Sequence, residues 1–155
     1  MEMAKDQLEK LMVLNEKMEV MEVQYKYVRS VDERNWKTSV DVFHKNGKLW
    51  VVDGKQKKLI GGPPEIEAFF KEIAARDFAF ARHFITNPVV KLEGDRASFT
   101  SYYNTMFIHD TFTKVIYGFY DDKLIKENGQ WKLLEKQIIL GWNNIMVPLK
   151  DFVKK

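Results

Sequence analysis

Apolar positions recur along this chain with two different periods, and the change of period divides it. Over residues 5–31 they step by three and four, at Leu11, Leu14, Met18, Met21, Tyr25 and Val28. That is the spacing of one buried stripe on a long helix, and no glycine or proline interrupts it. Residues 35–43 predict a second, short helix with Trp36, Val40 and Phe43 on its apolar side. Residues 48–60 read as a hairpin. Leu49-Trp50-Val51-Val52 is β-prone, Asp53-Gly54 is a turn signal and Leu59-Ile60 returns. Gly61-Gly62-Pro63-Pro64 breaks that strand and opens a helix over 64–76, where Ile66, Phe69, Phe70 and Ile73 share one face. Beyond it the period shortens to two. Strands are expected over 81–92, 97–108, 114–126 and 131–142, with turns at Glu93-Gly94-Asp95 and Asn128-Gly129, as in an antiparallel meander.

Helices gathered ahead of a mainly antiparallel sheet indicate an α+β fold. Three N-terminal helices packed on a strongly curved sheet make a cone-shaped α+β barrel that encloses an apolar pocket. The 155 residues fit a single domain over 1–155, with its core over 8–145 and a basic C-terminal tail over 146–155.

Composition narrows the functional classes. Hydrophobic residues are 45% and aromatics 14%, ample for a core or an apolar cavity. The 25 basic and 22 acidic residues leave a net charge of +3, too mild to imply nucleic acid, and no Lys/Arg stripe stands out mid-chain. Cysteine is absent, which excludes disulfides, thiolate catalysis and thiolate metal sites and fits a cytoplasmic location. No run is long and apolar enough to span a bilayer. Charges at Glu2, Lys5, Asp6, Glu9 and Lys10 leave no apolar core for a signal peptide. The expectation is a soluble cytoplasmic protein with no membrane partner.

The candidate chemistry begins at Asp32, the next member of the helical stripe. A carboxylate continuing an apolar face is informative, because an unpaired buried charge is costly. Either it caps the following turn and stays hydrated, as Asp does at helix starts, or it faces the interior with a partner. His83 opens the β-rich run. His44 precedes Lys45-Asn46-Gly47 and reads as a loop residue; His109 precedes Asp110-Thr111 in a polar connection and reads as solvated. Three histidines so far apart do not have metal-ligand spacing, so no metal is expected. Trp50, Tyr102, Tyr103, Met106, Phe119 and Trp142 suit an apolar cavity or ordinary core packing alike. On the strand, Tyr103, Thr105 and Phe107 share one face, which we favour for the pocket, and Tyr102, Asn104 and Met106 the other. Lys55-Gln56-Lys57-Lys58 reads as a solvated hairpin edge.

Four local patterns, in this order, resemble the SnoaL-like branch of the nuclear-transport-factor-like (cystatin-like cone) superfamily. They are Tyr27-Val28-Arg29-Ser30-Val31-Asp32; Gly62 with Ile66 and Phe69-Phe70; Arg82-His83-Phe84 with Asn87-Pro88-Val89-Val90 and Gly94-Asp95-Arg96-Ala97; and Gly118-Phe119-Tyr120-Asp121-Asp122-Lys123-Leu124 with Gly129-Gln130-Trp131-Lys132. Within that branch the chain is similar to the bile-acid dehydratase, scytalone dehydratase and lindane dehydrochlorinase families. The resemblance implies a deep apolar pocket, no metal or organic cofactor, and an Asp–His pair at its base, here Asp32 and His83. It also places Tyr27 and Tyr120 in the pocket wall. On a straight helix Tyr27 and Asp32 lie about 140° apart, so a shared pocket requires the helix to end or bend between them. Two departures bear on the substrate. Leu140 stands near the last-strand arginine of the bile-acid and lindane enzymes, and Thr105 near the acidic residue of the bile-acid enzyme.

A histidine held by an aspartate is a competent general base. The reaction that needs only these parts is proton abstraction from carbon, followed by β-elimination or by reprotonation elsewhere. The expected protein is therefore a cofactor-independent lyase of dehydratase type, or an isomerase, acting on a hydrophobic cyclic small molecule. Asp32 and His83 are the catalytic candidates, with Tyr27, Trp50, Tyr103, Thr105, Tyr120 and Trp142 binding substrate. The alternative is a non-catalytic module that uses the same cavity for a small ligand or its surface for partners. A homo-oligomer is expected under either reading, because the outer face of a curved sheet would expose aromatics, and the resemblance implies a dimer or trimer.

Overall fold

The computed structural model describes residues 5–76 and 78–146. The expected tail therefore lies outside the described residues from position 147 onward. The first helix, α1, runs over Lys5–Asp32 and is followed by α2 (Trp36–Asp41). The hairpin strands are β1 (Phe43–Asp53) and β2 (Gln56–Gly61), and α3 spans Pro63–Ala74. Four long strands complete the chain: β3 (Phe80–Glu93), β4 (Arg96–Ile108), β5 (Thr113–Glu127) and β6 (Gln130–Met146). They form one six-stranded sheet in the order β2-β1-β6-β5-β4-β3. Only β1 and β6 run parallel; every other neighbour is antiparallel. The fold is the expected α+β arrangement of N-terminal helices on a mainly antiparallel sheet.

The buried stripe of α1 differs from the one its apolar residues spell. Leu11, Leu14, Met18 and Tyr25 are exposed, whereas Val20, Gln24, Tyr27 and Val28 are buried. The helix meets the sheet only from its middle onward. Glu16 marks the point of contact, accepting a hydrogen bond of 2.8 Å from the Trp131 indole on β6 and pairing with Lys126. From there the buried line passes through Gln24, a polar residue that no apolar pattern would choose. Its amide oxygen is bonded by the Lys136 ammonium at 3.2 Å. Lys136 is itself fully buried and pairs at 2.8 Å with fully buried Asp122, whose other oxygen accepts the Gln137 amide at 3.0 Å. Burial raises the Asp122 pKa and lowers that of Lys136, each effect opposed by the partner's charge. The ammonium lies 3.6 Å from the Tyr120 ring centroid and 4.3 Å from that of Tyr27, a cation–π contact with each ring.

The second helix is shorter than expected because Val42 ends it and β1 begins at Phe43. His44 thus sits on β1 and is buried, not in a loop; its Nδ1 accepts the Asn46 amide at 3.1 Å. Asn35, not Asp32, caps α2 by accepting from the Thr38 amide at 3.2 Å. That leaves the Asp32 carboxylate for the interior.

Bulges decide which residues face the cone. On β3, Asn87 takes a left-handed φ of 52° and the pairing skips between Thr86 and Val89, which accommodates Pro88 in an edge strand. On β6, Gly141 is left out between the pairs Tyr117–Trp142 and Gly118–Leu140. This extra residue inverts the in–out alternation beyond it. The outer face carries Phe84, Tyr102, Phe119 and Trp142 in exposed positions. Among the described residues, no helix is long and apolar enough to cross a membrane.

Candidate active site

Where α1 ends, the chain must turn, and the last residue of the helix reaches β3. The side chains of Asp32 and His83 meet there although 51 positions separate them. Asp32 Oδ1 lies 2.6 Å from His83 Nδ1, and Oδ2 accepts the His83 backbone amide at 2.9 Å. The two contacts use both oxygens, so the carboxylate fixes strand position and ring orientation together. Both side chains are largely buried, with 11% exposure for Asp32 and 16% for His83. A carboxylate only accepts, so Nδ1 carries a ring proton, and in the neutral ring the lone pair is then on Nε2. No hydrogen bond engages Nε2 among the described residues.

The pair opens onto a cavity of about 380 Å³, toward the lower end of the range for small-molecule sites. Tyr27, Tyr103, Thr105 and Tyr120 line it beside Asp32 and His83. The helix continues unbroken to Asp32, so Tyr27 and Asp32 share the cavity because it wraps around the end of α1. Thr105 is the cross-strand partner of His83, which brings it into the same wall. Tyr103 stacks on Tyr120 at 4.5 Å between centroids, and Tyr27 meets Tyr120 edge-on at 6.4 Å. Burial raises the pKa of all three phenols, so they stay protonated, with a hydroxyl proton to donate. The Tyr103 hydroxyl is buried and has no hydrogen-bond partner among the described residues. Gly118 makes room for that ring. A Cβ there would lie 2.8 Å from two Tyr103 ring carbons and 2.0 Å from the Ile139 carbonyl.

Two expected binding residues are elsewhere. Trp50 does not line the cavity, because Leu49 and Val51 take the inward positions of β1. The outward Trp50 ring lies under the Lys57 ammonium at 4.7 Å. Trp142 is 57% exposed and leans on Tyr117 at 5.7 Å. The Gly141 bulge turns it to the outer face, while Ile138 and Leu140 stay inside. Leu140 therefore occupies a lining position.

The cavity wall also holds residues outside the sequence-based candidates. His109 lines the cavity instead of standing in solvent, with its ring stacked on Phe112 at 4.1 Å. Arg34, Arg76 and Lys114 are cavity residues too. They lie on three separate segments with no shared periodicity, so only the tertiary fold brings them together.

Solved structures share this architecture. The hexachlorocyclohexane dehydrochlorinase LinA-type3 of Novosphingobium barchaimii LL02 superposes with a TM-score of 0.75 at 13% identity, covering 88% of this chain and 94% of that one. A protein carrying a provisional scytalone dehydratase name, from Novosphingobium aromaticivorans, gives a TM-score of 0.73 at 16% identity over 84% and 87% of the two chains. A cystatin-like-fold protein of Nostoc punctiforme gives 0.61 at 22% identity over 81% and 90%. At such identities the likeness is one of fold. No curated protein matches the chain. The model of the SnoaL-like domain family matches residues 12–136, most of the chain, and the protein therefore belongs to that family.

Proposed function

We propose that the protein is a cofactor-independent lyase, or an isomerase, that removes a proton from carbon in a hydrophobic cyclic substrate. The observation that carries this reading is the Asp32–His83 contact of 2.6 Å at the wall of an apolar cavity. His83 Nε2 takes a proton from a carbon next to a carbonyl, and the imidazolium is stabilised by Asp32. The electron pair moves onto the carbonyl oxygen. Tyr103, whose buried hydroxyl lacks a partner among the described residues, donates to that oxygen as negative charge develops. When the charge returns, a β-hydroxyl leaves as water with the proton held by His83, which is dehydration. Return of the proton to a different carbon gives isomerisation. General-base catalysis of this kind supplies about 10²–10⁴-fold. The hydrogen bond to the developing oxyanion supplies a further factor of about 10²–10³.

The test is a panel of one- and two-ring β-hydroxy ketones incubated with the protein in heavy water, followed by NMR for deuterium uptake next to the carbonyl and for loss of water. Uptake reports proton abstraction whichever product follows. We expect turnover of at least one panel member, a loss of about 10²–10⁴-fold in His83→Gln, and a comparable loss in Asp32→Asn. Equal exchange in wild type and His83→Gln would sink the proposal. Saturable binding with no exchange would favour an inert small-ligand carrier.

A further inference from the structure

The rim of the cavity has a charge that the proton-transfer chemistry does not use. Among the described residues lining it, Asp32 is the one carboxylate, and His83 occupies both its oxygens. Against it stand Arg34, Arg76 and Lys114. These three are exposed, whereas Tyr27, Tyr103, Thr105 and Tyr120 in the same cavity are buried. The burial gradient puts the cations at the mouth and the apolar and phenolic groups at the bottom. Phe78 holds part of the rim together. The Arg34 guanidinium lies 5.6 Å from its ring centroid, and its ring meets those of Phe107 at 5.0 Å and His109 at 6.4 Å. Little among the described residues neutralises these charges. Arg76 has Glu72 at 3.9 Å, a loose and exposed pair, and Arg34 and Lys114 have no ion-pair partner among the described residues.

We infer that the cavity takes an amphipathic anion: an apolar ring system seated against the tyrosines and His83, with a carboxylate, sulfonate or phosphate held at the mouth by Arg34, Arg76 and Lys114. This names the substrate class of the site proposed above and rests on its being a small-molecule cavity. Guanidinium groups suit the anionic end, because their forked donors match the paired oxygens of such groups. Placing the charge at the mouth leaves it partly hydrated, which avoids the cost of burying it. The ring end is then directed inward, toward Nε2 of His83.

Two fluorescent probes of the same skeleton test this: 8-anilinonaphthalene-1-sulfonate, which carries the anion, and N-phenyl-1-naphthylamine, which lacks it. Binding is titrated at low and high salt, and the His83 ring signals in NMR report that each probe sits in the cavity. We expect the sulfonate to bind about tenfold more tightly at low salt, the sum of several exposed ion pairs. High salt should erode that preference by screening. The triple variant Arg34→Gln, Arg76→Gln, Lys114→Gln should lose the preference and keep its affinity for the neutral probe, which also shows that it folds. Equal affinity of the two probes in wild type, a preference that survives in the variant, or probe binding that leaves His83 unshifted would each overturn the inference. His83→Gln keeps the preference if the inference is right, even should the catalytic proposal fail.

Discussion

Asp32 ends an apolar helix face, and a carboxylate there has to be hydrated or partnered. It is partnered twice by one residue, through the His83 ring and the His83 amide. The same logic governs the second buried charge in the cone. Lys136 and Asp122 are both fully buried, and Gln24 completes the cluster beneath Tyr27 and Tyr120. Breaking such a pair leaves one charge uncompensated and costs about 3–5 kcal/mol, more than the pair itself contributes. Lys136→Met is therefore expected to lower the urea midpoint by about that free energy with an unchanged slope. Adding Asp122→Asn should recover much of the loss, because the neutral amide still accepts the Gln137 N–H. A double variant no more stable than Lys136→Met would show that the ion pair is not the source of the loss.

The elements were legible wherever the apolar period was unbroken. The long helix, the glycine-led third helix, the hairpins at Asp53-Gly54 and Asn128-Gly129 and the four long strands all lie close to where periodicity and turn residues put them. What could not be read was which face points inward. On α1 the error came from Gln24, a polar residue drawn into the core by Lys136, 112 positions away. On β6 it came from the Gly141 bulge, which moved Trp142 to the outer face. On β1 the sequence Leu-Trp-Val is apolar on both sides, so alternation alone could not exclude Trp50. Register is a property of paired strands, and a single strand does not contain it. Gly118 shows what such local features support. Its missing Cβ lets β6 and the Tyr103 ring approach together. Gly118→Ala is expected to destabilise by about 1–3 kcal/mol through overpacking and to displace Tyr103 from Tyr120. Thermal unfolding and near-ultraviolet circular dichroism read the two effects. A variant unchanged in both would contradict this account of the glycine.

At the scale of the whole molecule, the fold converts distant residues into one site. The end of α1, the start of β3 and the middle of β4 and β5 supply Asp32, His83, Tyr103 and Tyr120, while three further segments ring the mouth with positive charge. The Asp32–His83 pair was accessible before the structure only through resemblance, since neither residue's surroundings name the other. The rim was not accessible at all, since its residues lie on separate segments with no common spacing. The outer sheet face, with Phe84, Tyr102, Phe119 and Trp142 exposed, is the surface that a dimer or trimer would cover. The central claim is that the fold presents His83 Nε2 to the cavity as a base, with its proton fixed on Nδ1 by Asp32. Nitrogen NMR of the neutral imidazole tests this most directly, in wild type and in Asp32→Asn. The ring should be the Nδ1–H tautomer in wild type and should lose that preference when the carboxylate becomes an amide. A ring protonated on Nε2 in the wild type, or a tautomer indifferent to the substitution, would contradict it.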